Sequence, residues 1–220
     1  MNLRAVPGLL ALGLLATAPA AALEPGKRLS QYGLDIWQAE QGLPQNTVQA
    51  LLRGKDGYLW VGTQEGLGRF DGARFTTYDR KNTPELKHNS ILSLAEAPDG
   101  TLWAGTNGGG ILCRRPDGSF ASIGPAEGLG TLVVWTIAFD AAGDAWVGGD
   151  GIGVQRVSGG RGAERVGVAD GLPLDQVRVV AFDGTGALWV GTTGGGVAVV
   201  RNGRVEKVYG AEVLGGGLVR

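Results

Sequence analysis

The chain has 220 residues, with 41 glycines, one cysteine, one histidine and a formal net charge of −1 at pH 7. A single cysteine excludes an internal disulfide and a cysteine-rich metal cluster, and a single histidine leaves little material for a zinc site or a catalytic relay, so we expect neither a metal nor a cofactor. The 20 basic and 21 acidic residues argue against a nucleic-acid partner, while the glycine content, far above the ordinary level of about 7%, indicates a turn-dense all-β protein.

The first 22 residues have the pattern of a secretory signal peptide. Arg4 supplies a positive charge, residues 9–16 form a short apolar run, and residues 20–22 are small enough for cleavage near Ala22. The apolar run is shorter than the roughly 20 residues that a transmembrane helix needs, and an uncleaved anchor is the alternative. The sequence therefore predicts a periplasmic or secreted chain without a membrane span, in which Cys113 packs as a small apolar residue.

Four tryptophans mark an internal repeat of 43 residues. Each lies in a phrase of the type Gly-x-Leu-Trp-Val-Gly-Thr, and they are Trp60, Trp103, Trp146 and Trp189. A period in the low forties with several short strands per unit is typical of propeller blades. The sequence therefore predicts an all-β fold, a β-propeller with about four four-stranded blades that form an incomplete ring.

The repeat divides the chain after the signal peptide into a leading segment and four units. In the leading segment, 23–45, residues 34–39 are predicted to form the fourth strand of a blade that closes a ring with strands from both termini. The units together span 46–217, and they are 46–88, 89–131, 132–174 and 175–217. Because four blades are the lower limit of the usual range of about four to eight, we expect a fragment with further blades or a ring that closes by self-association.

Each unit is predicted to begin with a strand followed by a tight turn. The first strands are rich in apolar and β-branched residues, and they cover 48–52, 91–95, 134–139 and 177–182. The turn that follows has a glycine in every unit, which indicates a positive φ, at Gly57, Gly100, Gly143 and Gly186. The residue before this glycine varies, so its aspartates are interpreted as turn formers. The tryptophans are predicted to pack between neighbouring blades.

Positions that vary between units at the start of the first strand are the ligand-site candidates, because the architecture does not fix them. One such column contains Asn46, Asn89, Leu132 and Asp175, and another contains Gln49, Trp135 and Arg178. Their amide, carboxylate, guanidinium and indole groups suit a small molecule, an oligosaccharide or a peptide. Ordinary solvated surface chemistry is the alternative interpretation.

Three phrases recur in the repeats: Asp-Gly-x-Leu-Trp-Val-Gly-Thr, Asn-Thr-Val or Asn-Ser-Ile at the first strand, and Gly-Leu-Pro before it. Together they resemble the two-component regulator propeller repeat over about residues 28–209. The resemblance implies the periplasmic sensor propeller of a bacterial hybrid histidine kinase or diguanylate cyclase. In that family the propellers precede a β-sandwich, a transmembrane helix and an output domain, so we expect this chain to be an N-terminal fragment.

The resemblance implies a ligand-sensing module of a two-component or cyclic-di-GMP sensor that is not catalytic in itself. A secreted propeller enzyme, either a glycan hydrolase or a lyase, is one alternative, because residues 99–103 are faintly similar to the aspartate-box turns of sialidase-like propellers. Against this, His88 lies in a polar loop and no paired carboxylates recur at a fixed spacing. A protein-interaction scaffold or a quinoprotein-like propeller would also fit a secreted ring of blades.

Overall fold

The computed structural model describes residues 33–210 together with Arg28 and Val213. The chain divides into two compact units at the bond between Ile36 and Trp37, and all sheets lie in the second unit. The predicted signal peptide and its cleavage site lie outside the described residues. Within the described part of the chain, no helix has the length and apolar character required to cross a membrane.

Sixteen strands form four antiparallel sheets in the described residues. The first sheet contains β1 (Val48–Arg53), β2 (Leu59–Thr63), β3 (Leu67–Phe70) and β4 (Phe75–Tyr78). The second contains β5 (Ile91–Glu96), β6 (Leu102–Thr106), β7 (Ile111–Arg114) and β8 (Phe120–Ile123). The third contains β9 (Val134–Phe139), β10 (Ala145–Gly149), β11 (Val154–Ser158) and β12 (Arg161–Val166). The fourth contains β13 (Val177–Phe182), β14 (Leu188–Thr192), β15 (Gly196–Arg201) and β16 (Arg204–Tyr209).

Each sheet is one repeat unit, and its strands are hydrogen-bonded in chain order. Consecutive sheets contact each other through their first strands, β1 with β5, β5 with β9 and β9 with β13. Within the described residues the four sheets do not close into a ring. The predicted all-β propeller of four four-stranded blades is therefore confirmed. We number the blades one to four in chain order.

The phrase Gly-Leu that precedes three of the blades anchors the chain to the core. Each phrase follows a single 3-10 turn, and these turns are Ala39–Gln41, Pro125–Glu127 and Val168–Asp170. The leucine after each glycine is at most 7% exposed, and these residues are Leu43, Leu129 and Leu172. The phrase therefore recurs because it ends a turn and then buries an apolar side chain.

The predicted leading strand at residues 34–39 is not observed as a strand. Residues 33–38 have no assigned secondary structure, and Ala39–Gln41 form a 3-10 turn. A strand requires a hydrogen-bonded partner, and each of the four sheets already ends with its own fourth strand. The role of this segment in closing a ring stays a prediction.

The tryptophan column packs between blades wherever a following blade is described. Trp60, Trp103 and Trp146 are at most 9% exposed. Trp103 contacts Phe139 of the third blade edge to face, with 5.4 Å between ring centroids. Trp189 departs from the predicted role, because it is 37% exposed and stacks on Tyr209 of its own blade. The described chain places no further blade against it.

The glycines of the first hairpin turn have the predicted backbone conformation, with φ values of 87°, 84°, 88° and 80° in chain order. In blades one and two, the aspartate before the glycine fixes the turn, since Asp56 and Asp99 each accept the N–H two residues further on. Blades three and four have Ala142 and Thr185 at that position. The interpretation of these aspartates as turn formers is confirmed.

Another aspartate, located two residues earlier, fixes the turn in the last two blades. Asp140 and Asp183 each accept backbone N–H groups from the turn through one carboxylate oxygen. The second oxygen accepts the indole N–H, at 3.1 Å from Trp146 and 2.9 Å from Trp189. One carboxylate therefore replaces the turn aspartate and also orients the tryptophan of its blade.

We expect acidification to destabilise the fourth blade through Asp183. Hydrogen bonds from the Thr185 hydroxyl and the Trp189 indole hold the pKa of this carboxyl well below its ordinary value of 3.8. The stabilisation is therefore complete above the unfolded-state pKa and is lost as the pH falls below 3.8. Thermal unfolding of Asp183→Asn should depend less on pH than that of the wild type between about pH 4 and pH 2. Parallel pH dependences of the two proteins would contradict this assignment.

Cys113 is an apolar packing residue, as predicted. Its side chain is 5% exposed and belongs to the core between blades two and three. Burial raises the pKa of the thiol to about 12. A thiol with that pKa is protonated near neutral pH, so Cys113 is a poor nucleophile.

Candidate functional site

The blades have two distinct edges. At one edge the first strand of each blade begins and the second strand ends, and we call this the entry edge. The hairpins between strands one and two and between strands three and four lie at the other edge, which we call the hairpin edge. All six predicted ligand residues lie near the entry edge, because they precede or begin a first strand.

The first column of predicted ligand residues fixes the backbone before each first strand. Asn46 and Asn89 accept the N–H of Ala39 and Arg80 through their side-chain oxygens, at 2.8 and 3.0 Å. Asp175 accepts the N–H of Val168 in the same way, at 2.8 Å. One side-chain oxygen of each residue therefore holds the backbone of the loop before its first strand. The structure assigns these three residues a role in loop geometry and does not bring them together.

The second column brings two predicted residues into contact across blades three and four. The guanidinium carbon of Arg178 lies 3.9 Å from the ring centroid of Trp135. The Trp135 indole N–H donates to Asp150 at 3.0 Å, and the Arg178 Nε–H donates to the Thr193 hydroxyl at 2.9 Å. We call Trp135, Asp150, Arg178 and Thr193 the entry-edge cluster.

The repeat explains why these four side chains meet. Trp135 and Arg178 are the second residues of β9 and β13, whereas Asp150 and Thr193 directly follow β10 and β14. First and second strands are paired within a blade, and the first strands of neighbouring blades are in contact. Sequence reasoning missed Asp150 and Thr193. The signal was present, because they form a polar column with Gln64 and Asn107 at the same 43-residue period.

Gln49 belongs to a different junction. The Ser90 hydroxyl donates to its side-chain oxygen at 3.2 Å, which links blades one and two. The nearby His88 is half-buried, and its Nδ1 accepts the backbone N–H of Ser90 at 3.1 Å. The structure therefore gives the imidazole of His88 a local backbone partner and does not bring Gln49 to the entry-edge cluster.

The entry-edge cluster keeps hydrogen-bonding capacity on two of its charged groups. Within the described residues, the Arg178 Nη atoms and the second carboxylate oxygen of Asp150 have no hydrogen-bond partner. Stacking on Trp135 holds the guanidinium in place, and such a contact contributes about 0.5–2 kcal/mol. The cluster thus offers donors, an acceptor and an aromatic edge to one ligand. Among the described residues, no group of three or more His, Cys, Asp or Glu side chains could hold a metal ion.

Two segments of the chain, residues 42–65 and 85–108, match the family model of the two component regulator propeller. The first segment contains the Gly-Leu-Pro phrase and the Trp60 phrase, and the second contains the Trp103 phrase. A search of curated proteins found no significant match.

The fold is similar to that of solved extracellular domains from B. thetaiotaomicron. The domain assigned to the hybrid two component system BT3049 is 24% identical, with a TM-score of 0.71 over 80% of this chain and 26% of that one. The domain assigned to the one component system BT4673 is 22% identical, with a TM-score of 0.69 over 83% and 28%. This chain therefore spans about a quarter of the length of either structure.

A third structure shows that the same fold also occurs in an enzyme. Virginiamycin B lyase from Staphylococcus aureus is 15% identical, with a TM-score of 0.55 over 72% of this chain and 54% of that one. At these identities the likeness extends to the fold alone. The resemblance noted in the sequence is confirmed: the chain carries repeats similar to the two-component regulator propeller repeat, on a propeller fold.

Proposed function

We propose that the chain is an extracytoplasmic ligand-sensing propeller module of a bacterial two-component or cyclic-di-GMP sensor. The family match of residues 42–65 and 85–108 supports this proposal, as does the fold shared with extracellular domains assigned to one- and two-component systems. In this proposal the module only binds a ligand, and a separate output domain produces the response. The signal-peptide pattern of residues 1–22 supports a location outside the cytoplasm.

The observation that carries the ligand-binding role is the contact between Trp135 and Arg178. A guanidinium stacked on an indole is preorganised, so little side-chain entropy is lost when it binds a further group. Asp150 provides an acceptor beside it. This combination suits a small molecule or an oligosaccharide that has hydroxyl groups and a carboxylate.

Binding can be tested with a panel of soluble neutral and acidic oligosaccharides, by thermal shift and then by titration calorimetry. For an oligosaccharide that binds the wild type, Arg178→Ala should weaken the affinity at least tenfold, because a hydrogen bond to a charged group contributes about 1.5–3 kcal/mol. Trp135→Ala should weaken it similarly, since the guanidinium loses its support. Arg74→Ala is the matched control, because that side chain is 84% exposed and lies in the first blade.

The same panel distinguishes the sensor from its rivals. Unchanged affinity in both Trp135→Ala and Arg178→Ala would remove the entry-edge cluster from the binding site. Cleavage of any oligosaccharide by the wild type would contradict the sensor proposal and favour a glycan hydrolase or lyase. Binding to a protein partner without any small-molecule ligand would favour an interaction scaffold, and absorbance of a bound quinone would favour a quinoprotein.

A further inference from the structure

Consecutive blades enclose grooves near the hairpin edge, and the grooves at the three junctions occupy equivalent places. Their volumes are about 480 Å³ between blades one and two, about 730 Å³ between blades two and three, and about 390 Å³ between blades three and four. None of them is lined by the entry-edge cluster. Since the grooves are equivalent in the repeat, the side chains in equivalent positions must explain why the middle groove is the largest.

One position on the third strand accounts for much of this difference. It is the residue paired with the blade's tryptophan: Arg69 in blade one, Cys113 in blade two and Arg156 in blade three. Arg69 lines its groove and lies over the Tyr58 ring, with 4.4 Å from the guanidinium carbon to the ring centroid. Arg156 lines its groove and contacts two carboxylates, at 3.5 and 3.7 Å. Cys113 is far smaller, so the middle groove stays open.

The middle groove, which we call the Cys113 groove, has an apolar interior. Trp103 and Phe139 form an aromatic corner with their rings at 90°, and Val157 lies on the wall formed by blade three. Ala121, the residue paired with Cys113 on β8, adds another small side chain. Flat apolar molecules bind to surfaces of this type, since their burial removes apolar area from water.

Two carboxylates and two arginines line the Cys113 groove, and they differ in the partners that they already have. The carboxylate of Asp99 accepts the N–H of Thr101 at 2.9 Å, and that of Glu127 accepts the N–H of Gly124 at 2.8 Å. The Arg115 guanidinium donates to the Ser119 hydroxyl, at 3.3 Å, and Arg161 is exposed. In the described part of the chain, neither arginine forms an ion pair. The two guanidinium groups are therefore available to an anion, whereas each carboxylate holds a backbone N–H through one of its oxygens.

We propose that the Cys113 groove is a second binding site, for a small molecule with a flat apolar body and one anionic group. The body lies against Trp103 and Phe139, and Arg115 and Arg161 bind the anionic group. The volume falls within the range of about 300–1,000 Å³ that is usual for small-molecule sites. Cys113 leaves space for the ligand through its small size, and its thiol forms no bond with the ligand.

Anilinonaphthalene sulfonate is a suitable probe, since it combines an aromatic body with a sulfonate. We expect saturable enhancement of its fluorescence with the wild type. Cys113→Arg introduces the side chain that the neighbouring blades have, and it should weaken binding at least tenfold. Ala121→Phe fills the same groove with an apolar residue favoured in strands, so it provides a second test if Cys113→Arg fails to fold.

Two further variants separate the Cys113 groove from other apolar surfaces. Val199→Arg changes the equivalent position of blade four, where Trp189 is exposed, and should leave the affinity unchanged. Arg161→Ala should weaken binding of the sulfonate dye severalfold but not that of neutral N-phenylnaphthylamine. The proposal is overturned if the filled variants bind the dye like the wild type, or if Val199→Arg alone abolishes binding.

Discussion

Replacing Trp103 by alanine is expected to destabilise the propeller by about 3–5 kcal/mol, the usual loss for a large buried aromatic residue. Trp103 is 9% exposed and contacts Phe139 in the next blade, so the substitution opens a cavity at a junction between two sheets. Native domains are stable by only about 5–15 kcal/mol. The variant should therefore be partly unfolded or melt roughly 10 °C lower, as measured by circular dichroism during heating.

Trp189→Ala is the matched control, because it removes the same residue type from the equivalent position of blade four. Trp189 is 37% exposed and contacts Tyr209 of its own blade, so its loss should cost about 1 kcal/mol. Equal losses of unfolding free energy in the two variants would show that Trp189 is covered to the same extent as Trp103. Unchanged melting of Trp103→Ala would place this column outside the core.

The tryptophan period was sufficient to predict the blades, because each blade packs on the next with the same side chain. The period was insufficient to predict the exposure of Trp189. The burial of a side chain depends on the neighbouring blade that covers it, and the local sequence around the tryptophan does not specify that neighbour. The leading strand depends on its surroundings in the same way. Residues 34–39 have a strand-like pattern, but they were predicted to complete a blade that lacks its own fourth strand, and each of the four described sheets has one. Local sequence does not specify whether such a blade is present.

The candidate site was predicted in part, for a related reason. Asn46, Asn89 and Asp175 vary in type and therefore seemed free of architectural constraint. Asn and Asp, however, share a side-chain oxygen that accepts a backbone N–H, so the variation preserves one structural role. Trp135 and Arg178 differ chemically from their counterparts and were selected, with Gln49, as one variable column. The contact between Trp135 and Arg178 required the geometry of neighbouring blades.

A second large effect is expected at a glycine that sequence reasoning did not select. Gly153 directly precedes β11 with φ of 66°, and a Cβ atom there would run into the carbonyl oxygen of Val166 on the fourth strand. Because Val154 and Val166 are paired in the ladder, the oxygen cannot withdraw without breaking the sheet. Gly153→Ala should therefore combine backbone strain with overpacking and cost about 3 kcal/mol or more in chemical denaturation.

Gly143→Ala separates these two contributions. Gly143 has φ of 88°, but the nearest atom to its Cβ position is the Pro98 Cγ, at 3.7 Å, so the substitution meets strain without a clash. It should cost about 1–2 kcal/mol. If Gly153→Ala loses no more unfolding free energy than Gly143→Ala, then β11 and β12 can separate locally. If Gly153→Ala is much the more destabilising, the fourth strand of blade three is held by its ladder, and the glycine before the third strand is as necessary to the repeat as its tryptophan.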